Sequence, residues 1–122
     1  MAKHVRPSDM RAQTTQTTGM SRAEAIRAGS VWSGTVTTQP GMTSGWHHHD
    51  GHETVIYVVE GTFRFETGPG GRTVMEGSAG DFIYVGPREI HREINPGSTP
   101  CLAVIVRAGS GEIVVNVDGP EP

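Results

Sequence analysis

From residue 31 onward the chain is a succession of short apolar runs cut by glycine, proline and polar residues. The runs are VWSGTVTT (31–38), TVIYVVEG (54–61), TFRFETG (62–68), RTVME (72–76), DFIYVG (81–86), HREIN (91–95), CLAVIVR (101–107) and EIVVNV (112–117). They are dominated by Val, Ile, Thr, Tyr and Phe, which suit a pleated, half-buried surface better than a helix. About eight strands at this spacing predict an all-β sandwich or barrel. Alternation from Thr54 turns Ile56 and Val58 inward and Tyr57 outward. Phe63 with Phe65, and Phe82 with Tyr84, form two like-facing pairs expected to fill the core. Before residue 31 the pattern differs. Ser21 followed by Glu24, then Ala25 to Ala28 and Gly29, reads as a capping box and a glycine stop around one short N-terminal helix. Residues 1–20 are polar and rich in Thr and Gln, so they are expected to form an extended arm ahead of a single domain at 21–122.

Composition narrows the chemistry. With 122 residues the chain fits one domain large enough to fold without staples. Lys and Arg number 10 against 13 Asp and Glu, a net charge of −3, which argues against a nucleic-acid surface. The single cysteine, Cys101, rules out an intrachain disulfide and is expected to be a small buried hydrophobe. No apolar stretch reaches the roughly 20 residues that span a bilayer, and the N-terminus lacks the apolar core of a signal peptide. A soluble, cytoplasmic protein without membrane partners is expected, acting on a small molecule.

The segment Trp46-His47-His48-His49-Asp50-Gly51-His52-Glu53 holds four of the six histidines and runs straight into a strand. Residues i and i+2 of an extended strand share a face, so His47 and His49 can grip one ion while His48 points away. A purification tag would sit at a terminus without fold signals around it. Trp46 faces away from His47, toward sheet packing or an interface. His52 lies in the turn and is expected to be solvated, and His4 in the arm carries no signal.

These residues resemble the cupin superfamily. Its first motif runs Gly, five residues, His-x-His, three or four residues, Glu, six residues, Gly; here Gly41 precedes His47 and His49 by that interval, and Gly61 closes the motif. The second motif is matched by Gly80, the turn Gly86-Pro87-Arg88, His91 and Asn95. The resemblance implies a jelly-roll β-barrel in which His47, His49 and His91 ligate a metal. Two positions depart from the family pattern. Counting forward from His49 reaches Glu53, whereas counting back from Gly61 reaches Thr54, and neighbouring strand residues face opposite sides. Either Glu53 completes a His-His-Glu-His set or Thr54 faces inward and the three histidines stand alone; a turn absorbs an extra residue easily, which favours Thr54 inward. Gly86 and Arg88 stand where the family has Pro and Gly, so Arg88 must avoid positive φ or accept modest strain. From His91, alternation puts Glu93 and Asn95 on its face, where they either hydrogen-bond a ligand or substrate or form a polar rim. The substrate pocket is expected to include Thr54, Ile56, Glu93 and Asn95.

The implied cofactor is a divalent transition metal, with iron the first expectation and manganese, nickel, zinc or copper also compatible. A three-nitrogen site leaves the ion more positive and favours an anionic oxygen or sulfur. The leading functional expectation is a non-haem metal dioxygenase acting on a small organic substrate. A sugar or keto-acid isomerase or lyase, with Glu93 or Glu53 moving a proton, and a non-catalytic ligand-binding module are the alternatives. A homodimer in which the arm crosses to the partner barrel is expected, because small one-barrel cupins dimerise and open strand edges invite pairing.

Overall fold

The computed structural model describes residues 1–13 and 19–122. Its strands are β1 (Arg11–Gln13), β2 (Met20–Ala28), β3 (Val31–Thr38), β4 (His47–His48), β5 (Glu53–Glu60), β6 (Thr62–Thr67), β7 (Thr73–Ser78), β8 (Phe82–Val85), β9 (His91–Ile94), β10 (Cys101–Ala108) and β11 (Val115–Asn116). They form a six-stranded sheet in the order β1-β2-β3-β10-β5-β8 and a five-stranded sheet in the order β11-β4-β9-β6-β7. Every recorded pairing is antiparallel. The two sheets close over one another as a jelly roll, and each of the eight runs read from the sequence overlaps one of these strands. No helix among the described residues is long and apolar enough to cross a membrane.

Alternation decides what faces the core. β10 sends Cys101, Ala103, Ile105 and Arg107 inward, and β5 sends Thr54, Ile56 and Val58. With Trp32 and Val36 of β3, Phe63 and Phe65 of β6, and Ile83 and Val85 of β8, these residues form the packed interior. Cys101 is buried, as its apolar run implies.

Two expectations fail here. The segment expected to form a short N-terminal helix is strand β2, and the helical turns near the N-terminus reduce to a 3-10 turn at Pro7–Asp9. A helix of two turns is marginal by itself, and the edge of β3 offers β2 a continuous ladder, interrupted by a bulge between Glu24 and Ile26. Gly29, at φ 59°, is the turn between β2 and β3 and not a helix stop. Phe82 and Tyr84 share a face as expected, but it is the outer one, where they are 71% and 56% exposed. They lie opposite Tyr57 and Val55 of β5, which also point outward, so register placed Ile83 and Val85 inside. The arm shows order at Arg11–Gln13, which pair with Glu24, Ala23 and Arg22 of the same chain.

Candidate metal centre

The short strand β4 is held beside β9 so that His47 lies directly opposite His91. His49 follows in the turn toward β5, and the three rings meet with centroids 4.3 to 5.2 Å apart. One ligand-type atom from each lies within 4.8 Å of the other two, and all three residues are buried. Backbone carbonyls fix the rings from behind. Nδ1 of His47 faces Gly45 O at 2.9 Å, Nδ1 of His49 faces Ile113 O at 2.7 Å and Nδ1 of His91 faces Glu89 O at 2.8 Å. A carbonyl only accepts, so each Nδ1 carries the proton and each Nε2 presents a lone pair. Phe65 stacks on His91 with centroids 4.7 Å apart and planes at 18°, which locks that ring further.

Glu93 completes the constellation. Its Oε2 is 3.4 Å from His47 Nε2 and its Oε1 is 3.7 Å from His91 Nε2. Oε2 and both Nε2 atoms are buried without a hydrogen-bond partner. With the protons on Nδ1, these are acceptors facing acceptors, an arrangement that a cation between them relieves. The donor set therefore fits a transition-metal ion held by His47, His49 and His91, with Glu93 alongside. Ser44 positions Glu93: its Oγ accepts from Glu93 N at 2.9 Å and its own N–H donates to Glu93 O at 2.8 Å.

Electrostatics agree with this protonation pattern. Burial pushes His47 down to about 4, a shift opposed by Glu93 and assisted by His91 and Arg22. Burial also holds His49 far below the usual histidine range, with Arg107, His91 and His47 adding to the effect. Burial alone would raise Glu93, but His47, His91, Arg22 and Arg107 outweigh it and keep the carboxylate ionised.

The remaining candidates separate cleanly. Thr54 is 1% exposed and faces the interior, whereas Glu53 is exposed on the outer face, where its Oε1 accepts from Tyr84 OH at 2.6 Å. Glu53 thus lies outside the cluster, and the turn at Asp50 and Gly51 absorbs the extra residue, with Asp50 at φ 52°. Ile56 is buried beside Ile105. His48 is half-buried away from the cluster and accepts from Asp50 N. Asn95 is buried and engaged with backbone: its amide donates to Thr38 O and Thr99 O and its Oδ1 accepts from Gly97 N, so it ties loops together. His52 is buried, not solvated, with Nδ1 on His49 O at 2.9 Å. Trp46 is half-buried under the Arg92 guanidinium, 4.6 Å from its ring centre. Arg88 accepts positive φ, at 55°, where its N–H donates to Asp50 O.

Sequence reasoning missed two interior cations. Arg107 and Arg22 are 2% and 4% exposed. Period-two alternation from Cys101 points to Arg107; Arg22 was hidden by the helical reading of its segment.

No curated protein matches the chain. Among solved structures it is similar to KdgF from Halomonas sp. (TM-score 0.75, 18% identity, 91% of this chain and 96% of that one). It is similar to the polyketide cyclase RemF from Streptomyces resistomycificus (TM-score 0.78, 22% identity, 96% and 86%). It also resembles a protein described as a predicted oxalate decarboxylase from Thermotoga maritima (TM-score 0.74, 19% identity, 88% and 100%). At these identities the likeness is one of fold. Residues 34–107, which carry the histidine cluster, Glu93 and Arg107, match the Cupin domain family, and the chain belongs to it.

Proposed function

We propose that the barrel is a metal-dependent enzyme acting on a small organic molecule, with His47, His49 and His91 as ligands and Glu93 as the group that moves a proton. The observation that carries this is the Glu93 carboxylate: buried, ionised, with Oε2 lacking a hydrogen-bond donor, 3.4 Å from a ligand-type nitrogen. A carboxylate so placed can take a proton from a carbon beside a carbonyl and return it elsewhere. When bound, the metal would supply Lewis acidity toward that carbonyl oxygen. The Nδ1–H bonds to backbone orient the imidazoles, and the histidines and Glu93 are buried from bulk solvent. This supports isomerase or lyase chemistry ahead of dioxygen insertion; the latter reading rests on the three-nitrogen donor set without a carboxylate from the first motif.

The test is proton exchange by the metal-loaded protein in D₂O with small keto acids, followed by NMR. Washout at the carbon beside the carbonyl, lost in Glu93→Gln with metal content retained, is expected. Oxygen consumption with Fe(II), and no exchange under nitrogen, would replace this reading with the dioxygenase one. We further propose a homodimer. In it the arm would leave the β2 edge of its own chain, where Arg11–Gln13 pair here, and make the same ladder on β2 of the second copy.

A further inference from the structure

Arg107 ends the inward row of β10, in register with Trp32 of β3 and Thr54 of β5, both of which also face the interior. Its guanidinium lies over the Trp32 ring, 5.0 Å from the centroid, and the indole is itself pinned by Nε1 donating to Glu24 Oε1 at 2.7 Å. Two of its three nitrogens, Nε and Nη1, are buried without a hydrogen-bond acceptor. An unsatisfied buried guanidinium is costly, and native structures keep one only where something else supplies the acceptor.

The charge inventory identifies the missing group. Arg107 and Arg22 bring two positive charges into the barrel, and Glu93 is the carboxylate that faces them. Glu66, the other buried carboxylate among the described residues, is taken up by Arg64 and Arg92. Arg107 therefore presents a positive edge with two nitrogens unused to whatever enters the barrel. Burial, reinforced by Arg22, pushes Arg107 down to about 9, so it stays cationic at neutral pH. A cleft of about 410 Å³ is lined in part by Trp32, His52 and Ile113. Trp32 carries Arg107, while His52 and Ile113 hold His49 through its carbonyl and its Nδ1. The wall of this cleft is thus built in part from the residues that support Arg107 and His49.

We propose that Arg107 anchors the carboxylate of the substrate, so that this barrel takes a small organic acid whose neighbouring oxygen faces the histidines. A planar carboxylate matches the fork of a guanidinium held flat by an aromatic ring. The proposal names the substrate class of the proposed enzyme and rests on that reading for where the reaction occurs.

The experiment is calorimetric titration of pyruvate, and of its neutral amide as control, into wild type, Arg107→Met and Arg107→Lys, each with and without Zn(II), with metal content measured in parallel. Wild type is expected to bind pyruvate and not the amide. R107M should lose at least tenfold in affinity with Zn(II) content unchanged, and R107K, which keeps the charge without the planar fork, should fall between them. R107M should melt no lower than wild type in anion-free buffer, because an unsatisfied buried cation is removed; if it does not fold, R107K decides. Pyruvate affinity in the variants within threefold of wild type, or no pyruvate binding by wild type, overturns the proposal while the Zn(II) measurement stands. Arg107-dependent pyruvate binding by protein that takes no Zn(II) keeps the anion site and overturns the metal reading.

Discussion

Changing His47, His49 or His91 singly to Ala should strip most bound metal, as read by elemental analysis, because each removes one of three convergent nitrogens. His48→Ala should leave it, since His48 points away from the cluster. Glu53→Ala should also leave it and shift stability by no more than about 0.5 kcal/mol, as expected for an exposed side chain; metal loss in that variant would place Glu53 in the site after all. Acid should unfold the metal-free protein early. His47 titrates at about 4 when folded against an ordinary 6.5, so the unfolded chain binds more protons between those values and stability is lost as pH falls through that window. That shift corresponds to about 3 kcal/mol, and His49 and Glu93, both depressed, act in the same direction. Melting curves from pH 7 to 4 check it, and a flat profile would refute it. At this scale the clustering of His47 with His49 was readable from their i, i+2 spacing, and that of His91 from its place in the second family motif. The burial of His52 also follows from alternation with Thr54, but its place before a strand disguised it as a solvated turn residue.

Strand existence was legible and strand partnership was not. The eight runs of β-branched and aromatic residues became strands, whereas Ser21–Ala28 carries a local helix signal that the edge of β3 overrides. Phe82 and Tyr84 show the same limit, since period-two patterning pairs them correctly but only the register with β5 says which side is inside. The stretch between β10 and β11 matters more than its sequence suggests. Ile113 O holds His49, while Asp50 accepts from Glu112 N and lies 3.6 Å from Arg88. Gly111, at φ 104°, has no room for a Cβ beside the Asp50 carboxylate. Gly111→Ala should therefore displace this stretch and weaken metal affinity about tenfold without touching a ligand, a typical cost for losing an outer-shell hydrogen bond. Metal titration of that variant is the check, and unchanged affinity would show that Ile113 O is dispensable.

Over the whole molecule, the outer face of β5, β8 and β10 exposes Val55, Tyr57, Val59, Phe82, Tyr84 and Val106, with the Tyr57 and Phe82 rings 4.7 Å apart. A contiguous apolar face on a small barrel is the natural contact for a second copy. Light scattering should give a dimer, Phe82→Lys should dissociate it, and a chain beginning at Gly19 tests the contribution of the arm. A monomeric wild type would end the homodimer reading. The barrel interior has a consequence of another kind. Unloaded, it encloses two imidazole nitrogens, a carboxylate oxygen and a guanidinium, all with bonding capacity unused. Metal and an organic acid would satisfy these groups only in the folded chain, so mass action adds their binding energy to its stability. Where such a protein sits near its threshold, the fraction exposed to proteases rises whenever either is scarce. Its abundance in a cell would then follow the supply of its own metal and substrate, with no regulator required.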